Sequence, residues 1–206
     1  MKGETATIVA QVSNDGAFAI ESGLPYLANV SVEGSAAFLF HRWSVDGVEA
    51  KSKAAKGSKA KKEDDLESYV YRDREGNLCV PAEYFRMAAI NAAKYKQDPR
   101  SPRKSAMDLF KAGLVSLNDL CSLGVKDWDY IDRRRVMVQR NGITRHRPAM
   151  YQGWKACMQF QILLPEYISP MLLNETLQAA GRLVGVGDFR PTFGRFAITH
   201  FMVEQV

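Results

Sequence analysis

The densest chemistry in the chain is cationic. Six of its fifteen arginines, Arg133, Arg134, Arg135, Arg140, Arg145 and Arg147, fall within fifteen residues on either side of Asn141-Gly142. Asn-Gly is a strong hairpin signal, because both residues accept the positive φ of a type I′ turn. Reversal there predicts two antiparallel arms, 130–140 and 143–147. Alternation puts Ile131, Arg133, Arg135, Met137 and Gln139 on one face, and Asp132, Arg134, Val136, Val138 and Arg140 on the other. Guanidinium groups gathered on a ribbon are the electrostatic footprint of a phosphate-binding surface. The plainer alternative is pairing with Asp127, Asp129 and Asp132, which gains little where such pairs are exposed.

A second cationic stretch runs from Gly181 to Phe196, with four glycines, three arginines and three phenylalanines in sixteen positions. Glycine permits φ > 0 and close backbone approach, so Gly185, Gly187 and Gly194 beside Arg190 and Arg195 suit a loop that holds an anionic chain. Phe189, Phe193 and Phe196 are base-stacking candidates, and stacking is worth on the order of 1–3 kcal/mol per base. A tight turn and ordinary core packing are the alternatives, and core packing is the better assignment for Phe196. A dinucleotide fingerprint is excluded, because Arg190 stands at its third glycine position and the loop follows a helical stretch rather than a strand.

Other chemistry finds little support. His41, His146 and His200 are far apart, with no Cys or acid at ligand spacing. His41 beside Arg42, or His146 between Arg145 and Arg147, could act as a general acid in RNA cleavage, but no partner base accompanies either. Asp127, Asp129, Asp132 and Asp188 read as counter-ions for arginine rather than magnesium ligands. No cofactor, metal site or catalytic residue is expected.

The bulk properties fit this picture. The chain has 206 residues, a formal net charge of +5 and 46% hydrophobic content, with a pI near 9.1. This is enough for one domain with insertions and favours an anionic partner. Cys79, Cys121 and Cys157 are an odd set without paired spacing, which argues against a disulfide framework and for a reducing compartment. No apolar run approaches the roughly 20 residues of a membrane span, and no basic-then-apolar leader opens the chain. A cytoplasmic location is expected.

The elements that must position these groups follow from periodicity. Alternation predicts a first core strand over 5–13, an irregular stretch over 18–32 that holds at most one short strand, and a buried aromatic strand over 35–43. Lysine, alanine, serine and glycine dominate 48–62, which predicts a mobile arm. A hairpin over 69–80 turns at Gly76, and Pro81 opens a helix to Tyr95 whose small-residue stripe is Phe85, Ala88, Ala89 and Ala92. A shorter helix over 102–111 and connecting structure over 114–129 precede the arginine strand, 130–140. Then come a half-buried strand, 155–164, a helix over 169–182 capped by Ser169-Pro170, and a last strand, 196–204. The resulting order, β-α-β-β-α-β, is the α+β ferredoxin-like plan, with both helices on one face of an antiparallel sheet. One domain spans 1–206, with an insertion over 35–80. In RNA-recognition modules, the free face of such a sheet binds single strands.

A ferredoxin-like core that closes with helix, glycine-rich loop and final strand resembles the RAMP superfamily, the fold of CRISPR effector backbone and crRNA-processing subunits. The residues that carry the likeness are Gly185, Gly187, Gly194 and Arg195. The chain is also similar to conserved bacteriophage proteins of uncharacterised role, through Tyr71 to Gly76, Ile143 to Pro148 and the same C-terminal run. The RAMP resemblance implies single-stranded nucleic acid held by its backbone at that loop. The expected function is therefore non-catalytic binding of single-stranded DNA or RNA through Arg133, Arg135, Arg140, Arg145, Arg147, Gly185, Gly187, Phe189, Arg190, Phe193, Gly194 and Arg195, with self-association along the strand as a further partner. Two rivals stand beside it: a phage interaction or decoy protein that blocks a host defence complex, acting in the host cytoplasm, and a metal-independent RAMP-like ribonuclease.

Overall fold

The computed structural model describes residues 23–43, 53, 65–138 and 141–205. Its centre is a four-stranded antiparallel sheet made of β1 (Tyr26–Gly34), β7 (Leu114–Ser116), β11 (Lys155–Ile162) and β12 (Phe196–Gln205), in the order β12-β1-β11-β7. Helix α1 (Ala82–Ala92) follows β1, and helix α3 (Pro170–Leu183) follows β11. Numbered by their place in the core, the strands lie fourth, first, third, second. This is the α+β ferredoxin-like arrangement.

Each core element carries its own physical reason. Along β1, buried Tyr26, Ala28, Val30 and Val32 alternate with half-exposed Leu27, Asn29, Ser31 and Glu33, so one face meets the helices and the other stays open. In α1, Phe85, Ala88, Ala89 and Ala92 are fully buried, and their small side chains let the helix sit close to its neighbours. Ser169 caps α3 by accepting the Leu172 N–H at 3.2 Å, with Pro170 at the first helical position. Phe85 meets Phe196 edge to face at 5.5 Å, which locks α1 onto the last strand.

Three expectations fail here. The first core strand is β1, inside the stretch expected to be irregular; strand 5–13 lies outside the described residues. Gly23 and Pro25 precede β1 rather than interrupt it, and Gly23 turns the chain at φ +98°. The second core strand is the three-residue β7, in the region expected to be connecting structure. The arginine strand instead forms a separate sheet, in which β9 (Tyr130–Val138) pairs with β10 (Asn141–Met150), and β10 with β2 (Phe38–Leu39). Arms that are polar on both faces cannot replace a core strand. The third failure concerns 102–111, where the helix α2 is confined to Met107–Gly113. Ser101–Ser105, with exposed Pro102, Arg103 and Lys104, forms strand β6 against β5 (Gln97–Asp98).

The remaining connections are decorations of this core. Strands β3 (Tyr71–Arg72) and β4 (Leu78–Pro81), before α1, form a small sheet with β8 (Leu120–Ser122), which follows α2 and β7. Its turn is fastened by Asp73, which accepts hydrogen bonds from the Glu75 and Asn77 backbone N–H groups, the Asn77 amide and the Ser122 hydroxyl. The lysine-rich stretch 48–62 lies outside the described residues except for Lys53. Among the described residues, no helix is long and apolar enough to cross a membrane.

Phe85→Ala should lower stability by about 3–5 kcal/mol, the usual cost of deleting a fully buried aromatic ring. Urea unfolding followed by circular dichroism measures it. A loss below about 1 kcal/mol would mean that α1 does not depend on the Phe85–Phe196 contact.

Candidate nucleic-acid interface

The arginine hairpin is built by nine register pairs between β9 and β10. Its arms pair as far as Val138 and Asn141, so Asn141 and Gly142 belong to the return arm rather than to the turn. Gly142 has a different role: a Cβ there would strike the Arg135 guanidinium, so the missing side chain leaves room for that arginine. Asp132 faces Arg147 and Arg134 faces Arg145 on one side; Arg133 faces His146 and Arg135 faces Thr144 on the other.

These sides do different work. On the inner side, Asp132 is buried and accepts from Arg134 Nε at 2.7 Å and Nη2 at 2.9 Å, a bidentate bond that raises the Arg134 pKa above its ordinary value. The Arg134 guanidinium lies 4.3 Å from the centre of the Phe193 ring and 5.5 Å from that of Phe189. Arg147 is 4% exposed, stands 4.8 Å from the Phe189 ring centre and brings Nε within 2.6 Å of Asp188 Oδ2. This last approach is ionic rather than a directed hydrogen bond, and Nε and Nη1 are buried without an acceptor among the described residues. Arg147 is therefore a structural link between hairpin and loop, which corrects the expectation that it meets phosphate.

The outer side keeps Arg133 and Arg135 exposed, and no acidic partner holds either of them among the described residues. Arg145 is half-buried on the inner side, and Arg140 lies outside the described residues. Sequence reasoning left Arg134 out of the site. The alternation that set it opposite Arg133 held the signal, but nothing in the sequence placed the two phenylalanine rings beneath it.

The glycine loop is held by its own backbone. Val186 N–H donates to the Gly194 carbonyl at 2.9 Å, Gly194 N–H to Ala37 at 2.7 Å, Asp188 N–H to Leu39 at 3.1 Å and Phe193 N–H to Phe189 at 3.1 Å. Gly185 N–H closes the end of α3 on Ala180 at 2.9 Å. These donors are consumed internally, so the loop is not a cradle of free N–H groups. Gly194 has φ +71°, and a Cβ there would overlap the Val186 carbonyl; a Cβ at Gly187, φ +80°, would press on the Phe38 ring at 2.6 Å and the Leu39 carbonyl at 2.7 Å. Gly187 permits close packing against Phe38 and Leu39, and Gly194 close packing against Val186 within the loop.

Phe189 and Arg190 are exposed at the loop tip, and Phe193 is half-buried. Phe196 is 3% exposed and belongs to the core. Arg195 is exposed but lines a separate hollow of about 380 Å³ with Ser35, Gln178 and Arg182. The open sheet face carries Asn29, Ser31, Gln159, Gln161, His200 and Glu204, with Gln159 bonded to Asn29 at 2.9 Å and Asn29 to Glu204 at 3.0 Å. Apart from the His200 imidazole it presents no aromatic ring, so the Phe/Tyr stacking pair of RNA-recognition modules has no counterpart in these strands. Asp129 accepts the Tyr151 N–H at 2.7 Å, and no group of His, Cys, Asp or Glu side chains suited to a metal ion occurs among the described residues.

Comparison with known proteins fits the fold. The chain is similar to a solved chain of the type III-B Cmr-beta assembly, determined by cryo-EM bound to cognate target RNA. The TM-score is 0.51 at 8% identity, over 88% of this chain and 61% of that one, so the likeness shows the fold alone and this chain spans less than two thirds of its neighbour's length. No family model and no curated protein matches.

Gly194→Val should destabilise the protein strongly, because it meets both a left-handed backbone and a carbonyl oxygen that cannot move without breaking the Val186–Gly194 bond. A thermal melt gives the test: a wild-type midpoint would show that the loop does not need this close approach.

Proposed function

We propose that the chain binds single-stranded nucleic acid without cutting it, holding the phosphate backbone on the outer face of the β9–β10 hairpin and at the tip of the glycine loop. The observation that carries this reading is the division of the arginines. Arg134 and Arg147 are bound to Asp132 and Asp188, whereas Arg133, Arg135 and Arg190 are exposed with no acidic partner among the described residues. Unpaired guanidinium groups repel one another, and a polyanion relieves that repulsion. Exposed Phe189, next to Arg190 in the loop, adds a π face at the loop tip. The Cmr-beta assembly whose chain shares this fold is bound to target RNA, which supports RNA as the strand.

The test is the salt dependence of binding to labelled oligonucleotides. Affinity for a single strand should fall with salt at a logarithmic slope of about −0.7 per neutralised phosphate. Replacing Arg133 and Arg135 together by glutamine should flatten that slope by up to about 1.4 with little dependence on base sequence. Arg147→Gln should act on another observable, lowering stability by on the order of 1–3 kcal/mol by leaving Asp188 unpaired. The oligonucleotide should stay intact through long incubation with and without divalent metal. An unchanged slope in a natively folded Arg133/Arg135 variant would assign the hairpin face to a protein partner instead.

A further inference from the structure

Two hollows lie on the side of the glycine loop that faces α1. One, of about 470 Å³, is lined by Asn91, Lys94, Tyr95, Phe189 and Arg190 among others; the second, of about 210 Å³, by His41, Tyr84 and Arg190. Both also share Gly187 and Asp188, so they meet at the loop tip. On α1 and the turn after it, Tyr84, Met87, Asn91 and Tyr95 recur at helical spacing, and the stripe from Tyr84 to Tyr95 runs for about 16 Å. We propose that this trough between α1 and the glycine loop is a second strand-binding segment, taking the phosphates of a single strand at Arg190 and Lys94 and a base on the Tyr95 ring. The inference rests on the nucleic-acid reading above and extends the path of the strand beyond the hairpin.

The chemistry of the lining supports a polyanion with planar bases. Asp188 is the acid in the trough, and Arg147 neutralises it from the hairpin side, which leaves Arg190 and Lys94 as uncompensated positive charge. Lys94 Nζ lies 4.7 Å from the Tyr95 ring centre, and that ring is 58% exposed. A cation over one side of an exposed ring is an arrangement that serves both a phosphate and a stacked base. The Tyr84 hydroxyl keeps its proton, because burial and then its hydrogen bond with Tyr71 push its pKa up.

Phe189 joins the trough to the hairpin. One of its neighbours is the Arg147 guanidinium on the hairpin, yet the residue also lines the larger hollow. Its φ of +54° is the one positive value at a non-glycine residue among those described, a conformation costing on the order of 1 kcal/mol or more. That strain holds a partly exposed ring at the boundary between two basic surfaces. The proposed path takes the strand around the hairpin from its outer face to this ring and on to Arg190. At roughly 3.4 Å per stacked nucleotide, the trough has room for about four.

The experiment measures affinity for oligouridylates of about 6 and about 20 nucleotides, with Lys94→Gln and Tyr95→Ala variants of the full chain checked for native circular dichroism. Each variant should lose about tenfold or more in affinity for the longer strand and much less for the shorter one, which the hairpin alone can hold. In the wild type, a 4-thiouridine-substituted strand should crosslink to the peptide that contains Tyr95. Wild-type affinity of folded variants for the longer strand would overturn the trough while leaving the hairpin reading intact. Absence of any oligonucleotide binding by the wild type would overturn both.

Discussion

The contact on which the candidate interface depends is the buried approach of Arg147 to Asp188 and Phe189. It joins two segments far apart in the chain: the hairpin inserted between β8 and β11, and the loop between α3 and β12. A two-stranded ribbon is marginal by itself, and β2 adds only two residues to this one. Burying a guanidinium group carries a large desolvation cost, offset here by a carboxylate, an aromatic face and a second cation–π contact from Arg134 beside it. The return is orientation. With Arg147 turned inward, Arg133 and Arg135 must point outward, because adjacent residues of a strand face opposite ways.

This partition explains why net charge says little about function. A formal charge of +5 is mild, and much of the arginine content is spent internally. Arg72 is bound to Glu67, Arg86 to Glu83 and two carbonyls, and Arg100 to Asp98. The acids that meet the hairpin divide the same way: Asp132 and Asp188 serve arginines, and Asp129 serves a backbone N–H. Which of the described cations remain unpaired, Arg133 and Arg135 on the outer face of the hairpin and Arg190 at the loop tip among them, is a property of the fold rather than of the composition.

Much of the core was legible in the sequence, and the failures have identifiable causes. The two core helices, the Ser169 cap, β11 and β12 are readable because long periodic segments with Ser169-Pro170 or Pro81 near their starts leave little ambiguity. Strand β1 is longer and more central than the short strand expected within 18–32, because Gly23 and Pro25 mark a break that ends before the strand begins. Strand β7 could not be seen: three residues carry no period, and it exists by pairing with Phe160–Ile162. The arginine strand was recognised as a strand and given the wrong partner, since alternation reports exposure and not which sheet receives the strand. The fold class held because β1 and β7 occupy the two positions that had been given to other segments.

The site was legible at the level of composition and not at the level of roles. Glycines beside cations suggested a backbone cradle, but a cradle needs free N–H groups, and those of Gly185, Val186, Asp188, Phe193 and Gly194 are donated within the protein. The glycines instead bring the loop against Ala37 and Leu39, and this packing holds Phe189 and Arg190 outward. In the proposed function, binding would fall to side chains set on a fixed backbone. Its energetics follow from charge and ring stacking, which tolerate any base, so discrimination among sequences must come from outside this surface.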